Sequence, residues 1–272
     1  MSDQDVRKAR QASRMRVDWD IRARQDALYF IVSRPQPWTL QEFFKQGKED
    51  AYTLTRDSFK ELAFESTGKR MLEIGCGIGR LFPGFADMFA EVWGVDVSEE
   101  MINRGAKLNL SPNVRFIQNN GYDLADIPDN HFDFVFSYIT FQHVPEKWMI
   151  FNYLRESYRA LKSGGAFQLH FRTPSTGLKS FIYYHIPHRL RRPVITLYEL
   201  FLLRLLRDPA YIHHHVAGDM ASWDGTGFHP TEIERELLRL GFVQIKALDD
   251  KTHPAGRRFW VIGRKPDSTT VV

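Results

Sequence analysis

RMLEIGCGIGR, residues 70–80, is the stretch on which the fold turns. A short apolar run from Arg70 to Ile74 ends in three closely spaced glycines, Gly75, Gly77 and Gly79. A helical pattern follows near Leu81–Phe89. Glycines at a strand end let the chain turn tightly and bring bare backbone against a ligand, because no Cβ intrudes. The helix start behind them offers unpaired N–H groups to the same ligand. A tight strand–helix turn without any ligand is the plainer account of such a triplet.

Outward from this loop the pattern repeats. Glu91–Val97 (EVWGVDV), Val114–Gln118, Phe132–Tyr138 and Gly165–Phe171 are further apolar runs. Helical candidates near Glu99–Leu108 and Trp148–Leu161 lie between them. Apolar strands alternating with helices predict a parallel sheet covered on both faces, closed by right-handed crossovers into a doubly wound α/β fold. Pro230–Leu240 adds a helix, with Thr231 as start signal and Gly241 as stop. Phe242–Leu248 and Arg258–Gly263 then pair as terminal strands. Four parts result: an N-terminal helical or cap segment (1–66), a Rossmann-like core (67–171), a lid insertion (172–229) and a closing helix with strands (230–272). Within the first, a helix over Asp18–Val32 is broken by Ser33-Arg-Pro-Gln-Pro37.

Asp96 ends the second strand, beside the glycine loop. A carboxylate there accepts two hydrogen bonds from ribose hydroxyls. It serves otherwise as a surface strand-end charge or as part of the cap of the next helix, whose N-cap is Ser98.

Composition bounds the function. With 43% hydrophobic and 26% charged residues the chain is an ordinary globular protein, not a disordered one. A net charge of +4 compels neither a nucleic-acid nor a membrane partner. The single cysteine, Cys76, cannot form an intramolecular disulfide or a cysteine zinc site and suits a reducing compartment. The charged N-terminus MSDQDVRKARQ lacks a signal peptide's apolar stretch. No segment supplies the roughly 20 consecutive apolar residues of a spanning helix. A soluble, cytoplasmic protein is expected.

The glycine spacing separates two nucleotide ligands. Dinucleotide enzymes carry G-x-G-x-x-G, whereas here Glu73 precedes G-x-G-x-G. That pattern, followed by GVDVSEEM (94–101), FIQNNGYDL (116–124), DFVFSYITFQHV (133–144) and YRALKSGGAF (158–167), resembles the class I S-adenosylmethionine-dependent methyltransferases of small-molecule type. The resemblance covers residues 69–171 in order, plus the last helix and strands, and implies a seven-stranded, mostly parallel sheet. It implies S-adenosylmethionine as cofactor, leaving S-adenosylhomocysteine. Glu73, Gly75, Cys76, Gly77 and Gly79 would then hold the methionine moiety. Asp96 would take the ribose, Val97 and Met101 would line the adenine, and Ser137 would border the sulfonium; Met101 serves equally as helix core. Where the family often has an Asp contacting the adenine amino group, the matching position is Asn120, beside Gly121, which keeps a carbonyl acceptor but loses the charge.

The acceptor side is less specific. His143, in the loop after strand four, is the candidate general base; a packed histidine bonded to backbone is the equal alternative. His170 and Arg172, ending strand five, either contact an acceptor or are solvated strand ends. His213-His214-His215 reads as a surface or cap cluster, since three consecutive side chains do not share a face; no metal is expected. The D/N-P-P-Y/F/W element of amino-methylating nucleic-acid enzymes is absent after strand four, where the sequence reads Ser137-Tyr-Ile-Thr140. A small-molecule acceptor, with no nucleic acid, is the resulting expectation. The 172–229 insertion, rich in apolar and aromatic residues, covers the acceptor, packs as an ordinary helical lid, or touches a membrane through its apolar stretch and flanking arginines. A noncatalytic cofactor-binding protein and a nicotinamide oxidoreductase are the competing classes.

Overall fold

The computed structural model describes residues 3–34, 36–174, 225–250 and 258–267. Two N-terminal helices, α1 (Asp3–Ile31) and α2 (Leu40–Glu61), precede β1 (Arg70–Ile74), α3 (Phe82–Met88), β2 (Glu91–Asp96), α4 (Glu99–Lys107) and β3 (Val114–Gln118). After β4 (Phe132–Ser137) and a single 3-10 turn (Phe141–His143) come α5 (Lys147–Ala160) and β5 (Leu161–Arg172). The chain closes with α6 (Pro230–Arg239), β6 (Val243–Asp249) and β7 (Arg258–Arg264). The seven strands form one sheet in the order β3-β2-β1-β4-β5-β7-β6. The first five strands pair in parallel, and β7 enters antiparallel between β5 and β6.

Alternation along each strand feeds two apolar layers. Leu72, Ile74, Val95, Val135 and Leu169 face a core shared with Tyr153 and Leu154 of α5 and with Ile233 and Leu237 of α6. Met71, Val92, Phe134 and Phe136 face the opposite core, with Ala51 of α2 and Phe82 and Phe85 of α3. Helices on both faces leave the carboxyl ends of the parallel strands open at one edge. The order reverses between β1 and β4, so a crevice forms there, where doubly wound sheets bind ligands.

Several boundaries differ from the sequence reading. The N-terminal helix begins far ahead of Asp18 and is interrupted once, at Asp26, whose backbone is extended (φ −162°, ψ 88°). Helix α2 carries a capping box, in which the Thr39 hydroxyl accepts from Glu42 N and the Glu42 carboxylate accepts from Thr39 N. Thr231 does not cap the last helix: His229 holds that position and Pro230 occupies the first turn, where its missing N–H costs nothing. Strand β5 starts at Leu161 rather than Gly165. The predicted lid falls almost wholly outside the described residues, as do Val194–Leu206 and His213–His215. No helix among the described residues is long and apolar enough to cross a membrane.

Candidate active site

The loop after β1 is shaped by its glycines. Gly75, Gly77 and Gly79 all have positive φ (77°, 56° and 81°). A Cβ on Gly75 would collide with the Thr140 side chain, and one on Gly77 would come within 2.8 Å of Ile31 in α1. Gly79 is different: a Cβ there would meet Phe116 and Phe82, so this glycine serves packing beneath the loop. The loop thus lies pressed between α1 above and β4's exit below.

Asp96 ties this loop to the next strand. One carboxylate oxygen accepts from Gly77 N and the other from Ser98 N, each at 2.9 Å. Burial lifts its pKa to about 6, against the pull of those same N–H groups. Ser98 caps α4 by accepting from Met101 N at 3.1 Å. Asp20 of α1 reinforces this end, accepting from Ser98 Oγ at 2.6 Å and from Glu100 N at 3.1 Å. A carboxylate at a helix N-terminus is favourable on both hydrogen-bonding and dipole grounds.

Two adjoining cavities open at the strand tips. One, of about 100 Å³, is lined by Asp96, Val97, Met101 and Asn119 and roofed by Met15 and Trp19 of α1. The other, of about 490 Å³, is lined by Glu73, Cys76, Arg80, Asp50, Arg172 and Arg258. Gly75, Tyr138, Ile139 and His143 line both and mark the junction. Ile139 has φ 56°, a conformation that costs a β-branched residue about 1–3 kcal/mol and clusters at functional sites.

Glu73 is the most unusual group in the larger cavity. It is only 4% exposed, and its Oε2 has no hydrogen-bond partner. Burial raises its pKa to about 8, with Arg80 pulling downward and Asp96 upward. A buried acceptor left unpaired is costly, so the position fits a ligand that brings a donor, an ammonium group above all. Arg80 sits within reach of the same cavity and is held by Asp50 of α2 at 2.6 Å. Cys76 is buried, and burial drives its thiol well above the ordinary range, with Asp96 and Glu73 adding to the effect. It is a packed side chain, not a nucleophile.

Not every residue named from the sequence reaches these cavities. Asn120 is exposed and closes a turn, its Oδ1 accepting from Tyr122 N and Asp123 N, each at 3.0 Å. Its neighbour Asn119 lines the smaller cavity instead, with its amide donating to Tyr153 Oη at 2.8 Å. Gly121 abuts Val97 and Met15 without lining either cavity. Ser137 is fully buried, and its hydroxyl donates to Ile74 O at 3.0 Å, so it braces β4 against β1. His170 is also buried, with Nε2 3.0 Å from Asp250 Oδ2 and its ring against Tyr138 and Trp260; it is no solvated strand end. Arg172 does line the larger cavity. His143 packs edge-on to Trp19 (5.3 Å between centroids), and its Nε2 lies 3.0 Å from the Gln142 amide nitrogen. Arg80, Asp50, Trp19 and Arg258 were missed because each becomes part of the site only through tertiary contact.

Comparison with known proteins agrees with this arrangement. Residues 72–169 match the family described as a methyltransferase domain. Over 140 residues the chain is 31% identical to phosphoethanolamine N-methyltransferase 3 of Arabidopsis thaliana, covering 48% of this chain and 27% of that one. It is 29% identical over 128 residues to 27-O-demethylrifamycin SV methyltransferase of Amycolatopsis mediterranei, covering 44% and 45% of the two chains. The chain therefore spans about a quarter to a half of the length of these curated relatives. Among solved structures, phosphoethanolamine N-methyltransferase 2 of Haemonchus contortus, in complex with S-adenosyl-L-methionine, superimposes with a TM-score of 0.54 at 16% identity, covering 88% of this chain and 60% of that one. A methyltransferase from Aquifex aeolicus gives 0.50 at 18% identity over 84% of this chain and all of its own. With the sheet order, the glycine loop and the sequence match in agreement, residues 72–169 are a methyltransferase domain of the class I S-adenosylmethionine-dependent superfamily.

Proposed function

We propose that the protein transfers a methyl group from S-adenosylmethionine to an oxygen or nitrogen atom of a small molecule. One observation carries this reading: the buried, unpartnered Glu73 carboxyl faces a cavity that adjoins the one lined by Asp96 and Gly77, with Gly75 lining both. An amino-acid ammonium suits Glu73, a ribose diol suits Asp96, and the smaller, largely apolar compartment between Val97 and Met101 suits an adenine. When bound, S-adenosylmethionine supplies an activated methyl group on a positively charged sulfur.

The chain's own contribution is placement and dryness. Met15, Trp19, Phe30 and Ile31 of α1 close over the strand tips and exclude water. Tyr138, Ile139 and His143 stand where the two cavities meet, so an acceptor reaching in from the larger one has its nucleophilic atom held against them. Such alignment supplies several kcal/mol of the barrier. His143 takes the acceptor's proton, the acceptor displacing the Gln142 amide from Nε2. The relatives include both O- and N-methyltransferases, which supports leaving the acceptor atom as either.

The test is a calorimetric titration of S-adenosylhomocysteine into the protein. Binding is expected, and Asp96→Ala weakens it by about 1–3 kcal/mol through loss of hydrogen bonds to a charged group. A folded protein that ignores S-adenosylhomocysteine at millimolar concentration overturns the proposal.

A further inference from the structure

Arg80 is a buried charge whose hydrogen-bonding capacity the protein does not use up. It is 5% exposed and lines the larger cavity together with Glu73. Its Nη1 donates to Asp50 Oδ2 at 2.6 Å, and its Nε and Nη2 have no partner among the described residues. Those two nitrogens form one edge of the planar guanidinium, the edge that takes a carboxylate through two parallel hydrogen bonds.

Glu73 does not fill that edge. The two charges feel each other, since Arg80 pulls the Glu73 pKa downward, yet no ion pair joins them and Glu73 Oε2 is left without a donor. A buried carboxyl and a buried guanidinium that share one cavity and stay apart suit a ligand carrying the complementary pair, an ammonium toward Glu73 and a carboxylate toward Arg80. The group that holds Arg80 comes from α2, outside residues 72–169. Gly47, one helical turn before Asp50, lets α2 approach: a Cβ there would collide with the Arg80 backbone and come within 2.8 Å of Arg80 Cγ.

We propose that Arg80, positioned by Asp50, takes the carboxylate of an amino-acid ligand end whose ammonium meets Glu73, so that α2 makes the protein selective for a cofactor with that end intact. The identity of the ligand as S-adenosylmethionine rests on the methyltransferase reading; the carboxylate contact rests on Arg80 and Asp50.

The test titrates the full chain with S-adenosylhomocysteine and with its aminopropyl analogue, identical except that hydrogen replaces the carboxylate. The wild type should bind the analogue about tenfold or more weakly. Removing Arg80 also takes a favourable charge from Glu73, which weakens both ligands alike, so the ratio of the two affinities reads the contact. In Arg80→Met that ratio should fall to within about twofold of one, and in Asp50→Asn, which leaves the guanidinium in place but unanchored, it should fall part of the way. A ratio near one in the wild type, or an unchanged ratio in Arg80→Met, overturns the carboxylate contact and leaves the methyltransferase reading standing. An unchanged ratio in Asp50→Asn overturns the role of α2. Binding of neither adenosyl compound overturns the methyltransferase reading, and L-methionine alone then decides the site: saturable binding that is lost in Arg80→Met upholds it, and no binding overturns it as well.

Discussion

Glu73 concentrates the conflict between stability and function in one side chain. Folding raises its pKa from 4.5 to about 8 through burial, so the native state holds a proton that the unfolded chain releases. The resulting penalty is absent below the unfolded value, grows as pH rises from about 4.5, and levels off above about 8. Glu73→Gln should therefore raise the melting temperature, with a gain that increases between pH 5 and pH 8. The same variant should bind S-adenosylhomocysteine more weakly. In the wild type an ammonium ligand favours the ionised carboxyl, so binding at pH 7 should release most of one proton, seen as an enthalpy that varies with the buffer's ionisation heat. Proton release that survives in Glu73→Gln would assign it elsewhere. His143→Ala should lower turnover by about 10²–10⁴ while leaving cofactor affinity near its original value; unchanged turnover would leave His143 a packing partner of Trp19. The positions of Glu73 and Asp96 near the ends of β1 and β2 were legible, because each lies in a short apolar run that the sequence pattern reads as a strand. Asn119 and Asn120 were not distinguishable, because one residue of difference after β3 exchanges an inward amide for one that closes an exposed turn.

At the scale of elements, the N-terminal helices are as much part of the site as the sheet. Helix α2 approaches α3 so closely that a Cβ on Gly84 would come within 2.6 Å of Ala51 Cβ, and one on Gly47 would collide with Arg80 O. That crossing places Asp50 against Arg80. Gly47→Val should push the helix away, destabilising the fold by about 1–3 kcal/mol, which a denaturant midpoint measures. It should also weaken cofactor binding through loss of the Asp50–Arg80 pair; a stability loss without any binding loss would separate α2 from the site. The strands of the parallel core were legible because both-face burial writes them as continuous apolar runs. Helix α2 was not, although its Thr39-x-x-Glu42 box is in the sequence, because its buried face is made of Gly47, Ala51, Thr55 and Ser58 beside Phe43 and gives no apolar stripe. His170 was misplaced for a related reason: its burial depends on Asp250, a residue that only the fold brings alongside.

For the whole molecule, the proposed ligand and the fold are linked through the strand tips, since α1, β1, the end of β2 and the turn after β4 line the two adjoining cavities. A ligand that binds only the native state adds about 2.7 kcal/mol of stability at a hundredfold excess over its Kd. For a chain of this size that corresponds to a rise in melting temperature of roughly 5–10 °C. S-adenosylhomocysteine should give that rise, and a nicotinamide dinucleotide should give none, because the glycines at 75, 77 and 79 lack the spacing that a pyrophosphate requires. The two ionisable anchors add a sign to this experiment. Burial raises the pKa values of Asp96 and Glu73 to about 6 and about 8, and on the proposed reading both are ionised when they receive the hydroxyl and ammonium donors. The free protein is weakened as pH rises through that interval, while affinity for the ligand increases over the same interval. The ligand-induced shift should therefore be larger at pH 8 than at pH 6, and the dependence should flatten in Glu73→Gln. A shift that shrinks with rising pH would mean that the ligand is held by the protonated carboxyl, and Glu73 would then lose its role as the ammonium's partner.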